Sequence, residues 1–135
     1  MVEIDIEYEG DLHCRAKHGP SGAEIATDAP VDNQGRGESF SPTDLLATSL
    51  GVCMMTVMGI EARRKEIDLK GSRVHVVKEM VKDPARRVGR LALTLDLPGG
   101  IAPDDRAALE QVVRTCPVQL SVHPGIEVEL EFRWK

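Results

Sequence analysis

The sequence predicts an α+β fold with elements in the order β-β-β-α-β-β-α-β. Three observations predict it. Apolar and polar residues alternate strictly in several short runs, an apolar helix starts behind a cap at Ser41, and a second helix starts on an acidic first turn near Pro103. With 135 residues and a mass of 14.8 kDa the chain suits one domain over residues 1–135, because a second core would leave each half short of buried surface.

The first strand is expected over Val2 to Tyr8, where Val2, Ile4, Ile6 and Tyr8 alternate with Glu3, Asp5 and Glu7 to give a half-buried element. Glu9-Gly10-Asp11 supplies a turn, Leu12 to Lys17 returns as a hairpin partner, and Ala23 to Thr27 forms a third short strand. Asp28 to Glu38 is rich in Pro, Asp, Asn and Gly and reads as a loop.

Ser41-Pro42-Thr43-Asp44 is the clearest helix start: a capping hydroxyl, proline at the first helical position, and a carboxylate three residues after the cap. This helix is expected to run to about Lys65 with Leu46, Leu50, Cys53, Val57 and Ile60 on its apolar face. Gly51 and Gly59 are poor helix formers, so close packing against another backbone is expected there. Ser72 to Val81 and Val88 to Leu97 have strand composition, with Asp83-Pro84 turning between them and Gly99-Gly100 ending the second. The helix from Pro103 carries Leu109, Val112, Val113 and Cys116 on one face, and Pro117 ends it or begins a new short turn. Ile126 to Trp134 closes the chain as a strand.

Composition excludes several classes of partner. Lys and Arg number 17 against 22 Asp and Glu, a net charge of −5, which does not suit binding to nucleic acid or an anionic membrane. Four aromatics (Tyr8, Phe40, Phe132, Trp134) are too few for a base-stacking platform. The charge-free run from Leu45 to Ile60 is shorter than the roughly 20 residues of a bilayer span and reads as a buried helix. No signal or transit peptide is visible, and a cytoplasmic protein with reduced thiols is the expectation.

The candidates for chemistry are the cysteines. Cys14, Cys53 and Cys116 are an odd count without a CxxC pair, which fits neither a disulfide framework nor a zinc ribbon. A cysteine on an apolar helix face usually packs as a small hydrophobe, and periodicity alone reads Cys53 and Cys116 that way; a reactive pair is the alternative. If the pair reacts, burial raises the thiol pKa while attack needs the thiolate, so a cation must supply the charge. Arg15 and Arg36 are the candidates upstream of the long helix. His13, His18, His75 and His123 have no metal-ligand spacing, so no metal and no cofactor is expected.

The string Ser41-Pro42-Thr43-Asp44-Leu45-Leu46-Ala47 through Gly51-Val52-Cys53 resembles the cysteine helix of the OsmC/Ohr family, the osmotically inducible proteins C and organic hydroperoxide resistance proteins. Arg114-Thr115-Cys116-Pro117-Val118 is similar to that family's second motif, 63 residues further on (116 − 53), and Tyr8-Glu9-Gly10-Asp11 and the C-terminal strand also fit. The resemblance implies an OsmC-like fold, two central helices wrapped by sheets in an intertwined homodimer. It implies a cysteine-based peroxidase that reduces organic hydroperoxides without metal or haem and is recycled by a dithiol resembling dihydrolipoamide. Carried over by position, Cys53 is the peroxidatic thiolate, Cys116 the resolving thiol, and Arg15 the activating arginine, with Arg36 as the fallback. Many members carry glutamate directly after the helix proline to hold that arginine; here the position is Thr43. That departure motivates the alternative of a non-catalytic module on the same fold, binding small hydrophobic ligands or sensing redox state.

Overall fold

The computed structural model describes residues 1–135 and contains two compact units, Met1–Leu46 and Ala47–Lys135. The N-terminal unit is a three-stranded antiparallel sheet of β1 (Ile4–Gly10), β2 (His13–His18) and β3 (Glu24–Asp28), in that order, followed by a loop with a single 3₁₀ turn at Val31–Asn33. Register pairs Ile6 with Ala16, Tyr8 with Cys14 and Ala16 with Ile25, which collects apolar side chains on one face. Charged residues of the same strands share the other face. A bulge between Tyr8 and Gly10 breaks that alternation at Glu9.

The expectation of a half-buried first strand is corrected here. Ile4, Ile6 and Tyr8 are all more than half exposed, and so is Ile25 beside them. Alternation shows that a strand has two unlike faces, not that the apolar one is buried.

Helix α1 (Pro42–Arg64) begins as its cap dictates. The Ser41 hydroxyl accepts from the Asp44 backbone N–H at 3.1 Å, and the Asp44 carboxylate accepts from the Ser41 N–H at 2.9 Å. This reciprocal box satisfies two of the donors a helix start leaves unpaired. Asp44 is thus occupied at the cap, and Thr43 lies within reach of the Ser41 hydroxyl at 3.2 Å.

In the C-terminal unit, β4 (Arg73–Val81) and β5 (Arg87–Leu97) form an antiparallel pair. After α2 (Pro103–Val113) and α3 (Pro117–Ser121), β6 (Glu127–Trp134) returns parallel to β5, giving the order β4-β5-β6. The intervening helices supply the crossover that a parallel neighbour requires. The core is a leucine face on the central strand, Leu91, Leu93, Leu95 and Leu97, each no more than 1% exposed, together with buried residues of both long helices. Lys65, just past the end of α1, reaches Asp105 of α2 at 3.4 Å, and the Trp134 indole N–H donates to Glu110 at 2.8 Å from β6 to α2.

Two features of α1 differ from the sequence reading. Its buried residues are Ala47, Leu50, Gly51, Met54, Met58 and Ala62, while Ile60 is 58% exposed and Cys53 and Val57 are only partly buried. The core face therefore runs through the methionines, next to the stripe that contains Cys53. Only one of the two helix glycines is tightly packed: a Cβ at Gly51 would meet Val76 at 3.0 Å, a side chain and not backbone, whereas one at Gly59 would meet nothing within 4 Å. The helix from Pro103 also stops earlier than expected. It ends at Val113, and Cys116 lies beyond it at the start of α3.

Candidate active site

Cys53 and Cys116 come from segments on opposite sides of the β4–β5 hairpin in sequence, yet the structure brings their thiols together. The Cys53 side chain lies close enough to Cys116 to raise its pKa, and none of the three cysteines is in a disulfide. Their surroundings differ. Cys53 sits along α1 and is partly exposed, whereas Cys116 is fully buried.

The position of Cys116 follows from a local start signal, not from the face of α2. Cys116 has extended backbone (φ −65°, ψ 137°), Pro117 occupies the first turn of α3, and the Gln119 backbone N–H donates to the Cys116 sulfur at 3.2 Å. Sulfur here does what the Ser41 hydroxyl does at α1, with the same three-residue spacing and the same following proline. Burial pushes the Cys116 thiol above its ordinary pKa; the Gln119 N–H opposes that shift, and the Cys53 side chain adds to it. Cys116 is therefore kept as a neutral thiol whose sulfur already faces one donor.

The two arginines singled out upstream are both engaged within the N-terminal unit. Arg15 on β2 meets Glu9 at 3.4 Å and Glu24 at 3.5 Å, and Arg36 meets Asp11 at 3.1 Å. Hydrogen bonding to Glu9, then the charges of Glu9 and Glu24, raise the Arg15 pKa above its already high ordinary value. Arg15 thus obtains carboxylate support from neighbouring strands, without a glutamate at position 43. Cys14 lies on the opposite, apolar face of the same strand.

An apolar cavity of about 430 Å³ lies between α1 and β4, lined by Thr48, Gly51, Val52, Met55, Val74 and Val76. Cys53 is not among its walls. No group of three or more His, Cys, Asp or Glu side chains is arranged to hold a metal ion.

Residues 35–131 match the family model described as OsmC-like protein. A solved structure from Psychrobacter arcticus 273-4, described as an osmotic stress induced and detoxification response protein, is 44% identical, with 98% of this chain and 96% of that chain covered and a TM-score of 0.93. The chain belongs to the OsmC family. A further OsmC structure, an organic hydroperoxide resistance protein of Legionella pneumophila, shares the fold at 15% identity and a TM-score of 0.78, covering 98% of this chain and 96% of that one. A Vibrio cholerae structure in the organic hydroperoxide resistance group, with captopril in one of its active sites, aligns over 98% of this chain and 90% of that chain at 17% identity and a TM-score of 0.77. No curated protein matches in sequence. The α+β architecture read from the sequence is that of the OsmC fold, with the short α3 as an addition to the expected order.

Proposed function

We propose that this OsmC-family chain is a cysteine-based peroxidase that reduces organic hydroperoxides in the cytoplasm. One observation carries the reading: a partly exposed Cys53 thiol lies near enough to the buried Cys116 thiol to raise its pKa. In the proposed cycle the Cys53 thiolate attacks the terminal peroxide oxygen. The O–O bond breaks, the alkoxide takes a proton to leave as an alcohol, and Cys53 is oxidised by two electrons to the sulfenic acid. The Cys116 sulfur then attacks Cys53, water leaves, and a disulfide forms. An external dithiol, dihydrolipoamide-like in character, reduces that disulfide by exchange and is itself oxidised. Arg15 is proposed to favour the Cys53 thiolate, with Arg36 as the fallback.

Intact mass after one equivalent of an alkyl hydroperoxide tests the cycle. The expected result is loss of two hydrogens and a peptide linking Cys53 to Cys116. Unreacted thiols would overturn it. The cavity between α1 and β4 favours a second reading, a binder of small hydrophobic ligands, and thermal stabilisation by such ligands with inert thiols is the outcome that would select it.

We also propose that the protein works as a homodimer. Ile4, Ile6, Tyr8 and Ile25 present an exposed apolar face on one side of the sheet, the kind of surface that marks an interaction site. A second copy is the occupant we assign to it. Sedimentation velocity is expected to show a dimer that Ile6→Asp shifts toward monomer; a monomeric parent protein, or a variant with unchanged assembly, would refute the assignment.

A further inference from the structure

A second cluster of titratable groups lies on the charged face of the β1-β2-β3 sheet. Its centre is Glu9. The bulge at this position takes Glu9 out of regular register and leaves its carboxylate within reach of two β2 side chains at once. Oε1 of Glu9 lies 3.5 Å from Nε of Arg15 and also 3.5 Å from Nε2 of His13, and Oε2 lies 3.4 Å from an Arg15 terminal nitrogen. On its far side His13 meets Asp28 through Nδ1 at 2.6 Å, and Asp28 is 4% exposed.

The short contact to Asp28 decides which ring nitrogen holds the proton. A buried carboxylate needs a donor, so Nδ1 of His13 carries hydrogen. In the neutral ring Nε2 is then a bare lone pair facing a Glu9 oxygen, and two acceptors repel. Protonation reverses that contact, because Nε2–H becomes a donor to Oε1, the same oxygen that the Arg15 Nε–H uses.

We propose that His13 is a proton-controlled positioning residue for Arg15, neutral His13 leaving Glu9 to the guanidinium and protonated His13 drawing Glu9 away from it. The charged groups around the histidine in this sheet are Glu9 from β1, Asp28 from β3, and Arg15 with its second partner Glu24. Asp11 in the adjoining turn is taken up by Arg36 and does not compete. The exchange is internal to the sheet; only its effect on Cys53 rests on the function proposed for Arg15.

Nitrogen NMR on the full-length protein tests it, following the His13 ring and the Arg15 Nε–H from about pH 5 to 8, where histidines change charge. The Arg15 resonance is expected to shift with the same midpoint as His13, and His13→Gln is expected to abolish the shift. An Arg15 signal that is flat in the parent protein overturns the proposal without recourse to the variant, and so does a shift that survives in His13→Gln. Cys53 oxidation by an alkyl hydroperoxide is the second readout. Acidification is expected to slow it more in the parent protein than in His13→Gln. If the NMR midpoints coincide but Arg15→Ala oxidises at the parent rate, the exchange stands and the activating role of Arg15 falls.

Discussion

Cys53→Ser is expected to remove dithiol-dependent hydroperoxide consumption, lowering turnover by at least about a hundredfold, to the background of peroxide and dithiol alone. Serine keeps the shape of the side chain but offers neither a thiolate nor an oxidisable sulfur. Cys116→Ser should behave differently. Cys53 remains partly exposed in that variant, so it reacts once with peroxide, and the sulfenic acid persists because its resolving partner is gone. A sulfenic-acid trapping reagent should label Cys116→Ser strongly and Cys53→Ser not at all; equal labelling would reverse or dissolve the assigned roles. The pH dependence separates the two steps further. Burial raises the Cys116 pKa, so its thiolate fraction is small near neutrality and grows as pH rises towards that raised value. Disulfide closure after peroxide addition should accelerate by up to roughly tenfold per pH unit over that range. A closure rate that falls with rising pH would contradict this origin.

The second large effect concerns stability. Leu95 is fully buried at the middle of the leucine face of β5, the central strand of its sheet. Leu95→Ala removes buried methyl groups and leaves a cavity, at a cost of about 2–5 kcal/mol. Urea unfolding at fixed protein concentration should show a midpoint lowered accordingly with little change in slope. Leu120→Ala is the control: Leu120 is 74% exposed on α3, and its truncation should move stability by no more than about 0.5 kcal/mol. Equal losses in the two variants would mean that the core is not where the structure places it.

Much of this fold is legible in local sequence, because caps and alternation act over a few residues. Ser41 and Asp44 announce the start of α1 by chemistry that needs no distant partner, and the leucines of β5 announce a buried face by their period of two. Other features depend on what lies across the chain. The sequence around Leu50 is apolar on nearly all sides, so the stripe through Cys53 and the stripe through Met54 are almost equally greasy; packing, not periodicity, chooses the methionines. One residue is about 100° around a helix, and that difference is what leaves Cys53 accessible while Met54 is buried. Cys116 continues the apolar spacing of α2, and only Pro117 hints that it belongs to a new helix. Glu9 gave no signal, because a bulge is a property of two strands together.

The amide of Gln119 has a part to play on the return half of the proposed cycle. When a reductant attacks the Cys53–Cys116 disulfide, one sulfur must depart with the electron pair, and a donor that meets its negative charge eases that departure. The Cys116 sulfur has that N–H at 3.2 Å before any reaction begins. In the proposed cycle partial exposure would direct the incoming reductant to Cys53, and the Gln119 N–H would partly offset the burial that otherwise makes the Cys116 thiolate a poor leaving group.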